Sequence, residues 1–324
     1  MKKLMYLELC VMAVVLIVAI AVGSYLISPA FSPDSFYVGN YTPDSTENNP
    51  LEATVSWKTF PNDRQILAPQ HFVYDCKANK FLTISGQEND LIYPASITKL
   101  FTALVVMQYL QPDTVYVADD VLDLVVPGSS VAGLKKGDAL TGRQFLEAML
   151  LSSGNDAAYV LACEAGRVIA GDPYLGAVAA VQVFVQEMNR HAKDAGMENT
   201  NFVNPDGIHH PEHYSTFKDL ATMGTLCTEN TTIMRTVAVS KSSVTIRGEK
   251  LEWENTNLLI DPNSPYYCPY ATGLKTGQTP AAGSCLLSSF RKSGKFLLIG
   301  VFGCPEINDR FDDTLQLFNQ TILN

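Results

Sequence analysis

Ser96-Ile97-Thr98-Lys99 stands at the start of an apolar helical pattern, and Ser153-Gly154-Asn155 and Lys275-Thr276-Gly277 follow it in that order. A serine hydroxyl is a weak nucleophile at neutral pH and needs a proton acceptor beside it. Residues three apart on a helix share a face, which brings the Lys99 amine within hydrogen-bonding reach of the Ser96 hydroxyl. A free lysine titrates near ~10.4 and serves as a base at neutral pH only where burial and a second cation pull that value down. Lys275 is the natural second cation. Lowering the value by about 3 units costs roughly 4 kcal/mol, tolerable at a working site.

Each string alone has a plainer reading. Ser96 could be a helix N-cap, Lys99 a solvated surface lysine, Ser153-Gly154-Asn155 a turn between helices, and Lys275-Thr276-Gly277 the end of a strand. A Ser-x-x-Lys match should turn up about once by chance in a chain of this size, and here Ser215-Thr216-Phe217-Lys218 and Ser289-Phe290-Arg291-Lys292 also fit. Neither opens a long apolar helix. After Ser96, by contrast, Leu100, Ala103, Leu104, Met107 and Leu110 recur at helical spacing, and Pro94 sets a non-helical approach. Lys292-Ser293-Gly294, between two hydrophobic runs, is explained by a hairpin turn.

In this order the three strings resemble the signature of serine β-lactamases and penicillin-binding proteins. Their flanks narrow the likeness: Tyr93-Pro94-Ala95-Ser96-Ile97-Thr98-Lys99, Ser153-Gly154-Asn155-Asp156-Ala157-Ala158, Asn204-Pro205-Asp206-Gly207 and Gly273-Leu274-Lys275-Thr276-Gly277-Gln278-Thr279. Over residues 68–320 the chain resembles the low-molecular-mass penicillin-binding proteins that act as D-alanyl-D-alanine carboxypeptidases. The resemblance implies an α+β fold, a helical cluster packed on an antiparallel sheet of about five strands, with the site in the cleft between them. Strands expected at both ends of the chain and helices in the middle point the same way.

By that resemblance, Ser96 attacks the bond between two terminal D-alanines of a peptidoglycan stem peptide, leaving an acyl-enzyme that water then frees. β-Lactam antibiotics are the implied covalent inhibitors, and no cofactor is implied. Lys99 would take the serine proton and Ser153 would pass it to the departing amine. Asn155 would offer its amide to substrate, Lys275 positive potential, and Thr276 a hydrogen bond to the free carboxylate. The family supplies its oxyanion donors from the backbone amides that are Ser96 and Gln278 here. Gly277 is then glycine because a side chain would stand between strand and substrate. Arg310 lies where family members carry a carboxylate-holding arginine; its plainer reading is a surface pair with Asp309 or Asp313. Gly154 stands where the family resembled often has alanine or another small residue. His209, His210 and His213 could suggest zinc, but their stretch resembles a non-metal loop of the family.

Composition sets the bounds. The 324 residues are 47% hydrophobic, enough for a full core. A net charge of -10, from 23 Lys+Arg against 33 Asp+Glu, argues against nucleic acid as partner. Lys2 and Lys3 precede an uncharged apolar run from Leu9 to Ile27, which reads as a signal peptide or as a membrane anchor with its basic end in the cytoplasm. On length the anchor is preferred, and either way the bulk of the chain is expected outside the cytoplasm. Residues 28–67 turn to Ser, Pro, Asn, Asp and Thr and read as a stalk, followed by a catalytic domain over 68–324. Seven cysteines are present without Cys-x-x-Cys spacing, and their pairing is not legible.

The periodicity predicts strands at 70–74 and 80–84, two helices around the Ser153 turn between 141 and 167, and another helix from 173 to 195. It further predicts a meander at 273–279, 284–290 and 295–302 and a closing helix at 311–322. Two rival functions share the motifs. A class A β-lactamase needs a deacylating glutamate, usually in Glu-x-x-Leu-Asn, and no such string lies between Asn155 and Lys275. A non-catalytic penicillin-binding wall sensor would keep the fold without turnover.

Overall fold

The computed structural model describes residues 57–61 and 64–323. The apolar amino-terminal run and most of the expected stalk fall outside the described residues. Strands β1 (Gln70–Asp75) and β2 (Lys80–Ile84) form the expected first hairpin, with Asn79 at φ 52 in its turn. Two-residue β3 (Leu91–Ile92) leads through Pro94 into a 3-10 turn at Ala95–Ile97 and straight on into helix α1 (Thr98–Tyr109). Residues Thr98 to Val106 are all buried, so α1 is surrounded by protein on every side.

Beyond α1, the short pair β4 (Val115–Val117) and β5 (Ala139–Thr141) precedes α2 (Gly142–Leu150), whose start carries a Thr141–Gln144 capping box. Helices α3 (Asn155–Ala170) and α4 (Ala177–Asp194) pack on each other, and α3 stops at Gly171 in the left-handed conformation. Strand β6 (Ser215–Thr216) pairs with β3 and leads into α5 (Phe217–Glu229) and α6 (Thr231–Val237). A separate hairpin, β7 (Lys241–Ile246) with β8 (Glu249–Glu254), comes next. The chain ends in the meander β9 (Ala271–Thr279), β10 (Gly283–Lys292), β11 (Lys295–Cys304) and the closing helix α7 (Asp309–Leu323).

Antiparallel pairing of β1 with β11, from Gln70 opposite Phe302 to Asp75 opposite Leu297, joins the two ends of the domain in one five-stranded sheet. Its order is β2-β1-β11-β10-β9, which leaves β9 at an edge. Alternation along β11 sorts its side chains between two layers. Leu297, Ile299 and Val301 join Phe311, Leu315 and Phe318 of α7 in one core. On the helical side, Leu298 reaches Gly224 of α5, where a Cβ would stand 2.7 Å from it, and Phe302 stacks on Phe72 beside Phe217. This α+β architecture matches the expectation.

The domain begins earlier than composition suggests. Trp57, Phe60 and Ile66, placed in the stalk by the sequence reading, pack against the core under α7. The Trp57 indole donates to Asn319 at 3.0 Å. Buried Asp313 accepts from Arg64 at 2.8 Å and from the backbone amides of Leu67 and Ala68 at 2.9 and 2.7 Å, so the carboxylate is satisfied by one cation and two peptide groups. Cysteines 76, 163, 227, 268, 285 and 304 are all free, and all but Cys76 are buried.

Candidate active site

Ser96 sits in the 3-10 turn ahead of α1, and its side chain caps neither element: Pro94 and Ile97 hold the cap positions. The N-cap reading is therefore excluded. Ala95 is held at φ 49, Ser153 at φ 61 and Leu274 at φ 92, one strained residue at each motif. The other non-glycine residues with positive φ among the described ones, Asn79, Arg247 and Ser293, lie in hairpin turns. Strain of this kind costs about 1–3 kcal/mol per residue and persists only where the surroundings impose it.

Two glycines from distant segments impose it at Ala95. A Cβ on Gly207, itself at φ 82, would stand 1.9 Å from the Ala95 carbonyl oxygen. On Gly277 of β9 it would stand 2.9 Å from the Pro94 carbonyl oxygen, 3.0 Å from the Ala95 methyl and 3.3 Å from the Ser96 amide nitrogen. The reason for glycine at 277 is thus contact between the edge strand and the nucleophile turn, rather than room for substrate. Because β9 has a neighbour on one side only, alternate backbone groups along it face away from β10.

The Asn204–Gly207 loop is explained in the same terms. Asn204 closes it, accepting from Gly207 and donating to the Ile208 carbonyl, each at 2.8 Å. Its Pro205 and Asp206 carbonyls accept from Thr102 at 2.6 Å and from Lys99 at 2.7 Å. Lys99 Nζ also meets Ser96 Oγ, at 2.9 Å. The lysine side chain is fully buried, and burial lowers its amine to about 8 against the opposing pull of Asp206 and Asp156. The expected second cation is not the cause. Lys275, also fully buried, is itself pushed well below the usual lysine range, first by burial and then by Lys99 and Arg310. Its amine hydrogen-bonds Thr256 Oγ1 at 3.2 Å, the Thr276 carbonyl at 3.3 Å and Thr276 Oγ1 at 3.4 Å.

The second motif joins α2 to α3. Asp156, just inside α3, accepts from the backbone amides of Ala132 at 2.8 Å, Leu134 at 3.0 Å and Ala157 at 2.9 Å, which pins the 126–134 loop against the helix start. That loop contributes Ser129 and Ser130 to the cleft wall. Gly154 is constrained here, since a Cβ would stand 2.7 Å from both the Ala132 methyl and an Asp156 oxygen. Alanine there would have to displace that loop. Asn155 is buried with its Oδ1 unpartnered among the described residues.

A cleft of about 350 Å³ gathers Ser96, Ser153, Asn155, Thr276, Gln278 and Arg310, with Gly277 and Thr256 also in its wall. Lys99 and Lys275 lie behind that wall and act on it through Ser96 and the two threonines. Arg310 is 8% exposed and forms no ion pair within 4.0 Å among the described residues. Its guanidinium donates to the Gly277 carbonyl at 3.4 Å and its Nε has no partner. The surface pair with Asp309 or Asp313 is not formed; Asp313 is engaged by Arg64 instead.

The histidine cluster divides. His213 accepts from the Val203 amide through Nδ1, so Nε2 carries the proton and meets Thr98 Oγ1 at 2.8 Å; burial pushes the ring down to about 3. Of the two decoy serines, Ser215 lies in β6, where the neighbouring Thr216 caps α5, and Ser289 bonds Thr272 within the sheet. Sequence reasoning passed over Ser129, Ser130, Ile208 and Thr256. None carries a motif, although Asn255-Thr256-Asn257 is a polar triplet directly before the strand pattern of β9.

A sequence profile of the D-alanyl-D-alanine carboxypeptidase family matches residues 57–305. D-alanyl-D-alanine carboxypeptidase DacF of Bacillus subtilis (strain 168) is 30% identical over 226 residues, which are 68% of this chain and 54% of its own. The D-alanyl-D-alanine carboxypeptidase of Streptomyces sp. (strain K15) is 34% identical over 234 residues, 69% of this chain and 77% of that one. The chain thus spans about half the length of the first relative and about three quarters of the second. The crystal structure of the Streptomyces K15 DD-transpeptidase has a TM-score of 0.71 at 28% identity, covering 83% of this chain and 100% of that one. A D-alanyl-D-alanine carboxypeptidase structure from Mycobacterium tuberculosis H37Rv scores 0.67 at 25% identity, covering 83% and 95%. On the extent of the profile match and the shared fold, this chain belongs to the D-alanyl-D-alanine carboxypeptidase family of serine-type peptidases.

Proposed function

We propose that the chain removes the terminal D-alanine from peptidoglycan stem pentapeptides through an acyl-enzyme on Ser96. The observation that carries this reading is the fully buried Lys99 amine, 2.9 Å from the Ser96 hydroxyl and lowered by burial to about 8. Lys99 takes the hydroxyl proton as Ser96 Oγ bonds to the carbonyl carbon. Backbone amides of Ser96 and Gln278 take the oxyanion, a role whose loss typically costs on the order of 3 kcal/mol per donor. Ser153 relays the proton to the amine of the departing D-alanine, and water then hydrolyses the ester. Asn155, with its free Oδ1, holds the peptide backbone of the substrate. Arg310, a buried cation without a carboxylate partner, and Thr276 receive the terminal carboxylate.

β-Lactams are covalent inhibitors on this reading, trapped because no glutamate in the Glu-x-x-Leu-Asn setting stands ready to activate water against the adduct. Anchoring through the apolar run at 9–27, with the catalytic domain outside the cytoplasm, belongs to the same proposal. Mass spectrometry of a synthetic pentapeptide ending in D-Ala-D-Ala should record loss of one alanine, and fluorescent penicillin should label the wild type but not Ser96→Ala. An unlabelled wild type that leaves the peptide intact would favour the wall sensor, and rapid penicillin turnover the β-lactamase. Transfer to an amine is a second reading, favoured by the description of the Streptomyces K15 structure as a DD-transpeptidase. It requires a cross-linked product when an acceptor amine is added.

A further inference from the structure

Asn255-Thr256-Asn257 connects the β7–β8 hairpin to the approach of β9. Its two asparagines are buried and tie the backbone down. Asn255 donates to the carbonyls of Val237 and Val239 at 3.0 and 2.9 Å, and Asn257 donates to that of Gly273 at 3.2 Å. The Thr256 amide donates to the Leu151 carbonyl at the end of α2 at 3.0 Å. The triplet is therefore braced against helices on one side and the edge strand on the other. Only the middle side chain is left facing the cleft.

There the Thr256 hydroxyl meets two partners: Lys275 Nζ at 3.2 Å and Thr276 Oγ1 at 2.6 Å. A lysine amine in either protonation state has N–H to donate, and Thr256 is its nearest acceptor. A hydroxyl that accepts from the amine keeps its own O–H for the neighbouring threonine. Thr276 then accepts from Thr256 and retains its O–H for the cleft. In the opposite arrangement Thr276 would spend its only hydrogen on Thr256 and present lone pairs to an incoming carboxylate, which repels them. We propose that Thr256 is a positioning residue that, between Lys275 and Thr276, aims the Thr276 hydroxyl hydrogen at the terminal carboxylate of the substrate. Hydrogen bonds in such a chain polarise one another, so the last donor is strengthened as well as aimed.

The inference rests on the acyl-serine reading, and the test separates the two. Acylation rates are measured by intact-protein mass spectrometry for wild type, Thr256→Val and Thr256→Ser, with benzylpenicillin and with its carboxyl methyl ester. The wild type should prefer the free acid. Thr256→Val, nearly the same shape without the hydroxyl, should cut that preference about tenfold, the worth of one ordinary hydrogen bond, while Thr256→Ser should keep it. An equal slowing of both compounds by Thr256→Val, or an unchanged preference, overturns the inference and leaves the acyl-serine reading standing. A wild type that forms no adduct with either compound overturns both.

Discussion

Raising the pH from 7 to 9 should accelerate acylation of Ser96 by penicillin about tenfold, and further alkali should add little. The magnitude comes from Lys99. With its amine held at about 8, roughly 9% of the molecules carry the free base at pH 7 and about 90% at pH 9. An amine at the unperturbed 10.5 would offer only ~0.03% at pH 7, so burial raises the concentration of base about 300-fold. The shift of about 2.5 units corresponds to about 3 kcal/mol, which has a second face in stability. Below pH 8 folded and unfolded chains both hold the proton, and the full cost of burying the ammonium opposes folding. Between pH 8 and 10.5 the unfolded chain binds more protons than the folded one, so this group's contribution to stability rises with pH across that window.

The assay is the second-order rate of fluorescent penicillin labelling across pH 5.5 to 10.5, with stability followed in parallel by urea melts to exclude unfolding. A limb near 10, or a flat profile, would refute Lys99 as the burial-tuned base. His213 cannot supply a limb near 6.5, because burial holds its ring near 3.

Gly277→Ala should slow labelling by on the order of 100-fold, because the added methyl would stand 2.9 Å from the Pro94 carbonyl oxygen and 3.0 Å from the Ala95 methyl and must push the nucleophile turn off β9. Thermal melting should show an accompanying loss of about 1–3 kcal/mol, and a wild-type labelling rate would refute the contact argument. Asp156→Ala strips the acceptor from three backbone amides and should cost about 3–5 kcal/mol in urea denaturation. A loss under about 1 kcal/mol would mean that the 126–134 loop is held by something else, such as the Trp253 indole that donates to the Ala132 carbonyl at 3.0 Å.

What was legible in the chain is what neighbours in sequence decide. The meander announces itself because β11, buried on both faces, reads as a nearly unbroken apolar run from Phe296 to Phe302. The order of the three motifs carries the resemblance that implied one shared cleft, and Ser96, Ser153 and Thr276 line it while Lys275 lies behind its wall. The β7–β8 hairpin escaped notice because its alternation is muted. Its strands are mostly polar, and Trp253 is the one side chain in them that is fully buried. The early edge of the domain was hidden for a related reason: Trp57, Phe60 and Ile66 follow no period, because they fill gaps beside α7 as irregular chain rather than as a helix or strand face.

The site itself divides along the same line. Ser96 and Lys99 are three residues apart, so their meeting is a local matter. The depth of Lys99 is not, for it depends on the Asn204–Gly207 loop closing over it and offering the Asp206 carbonyl. That is why the sequence reading called on a second cation as well as burial, when burial is what lowers the amine. Glycine behaves similarly. At 207 and 277 a missing Cβ looks like ordinary loop or strand punctuation, yet both glycines let remote segments reach the nucleophile turn, Gly207 at Ala95 and Gly277 from Pro94 to Ser96. A chain with alanine at both positions would still carry the first two motif strings and all but the last letter of the third. It could not seat its nucleophile turn against either wall, so the spacing of motifs is necessary for this site and close backbone approach is what completes it.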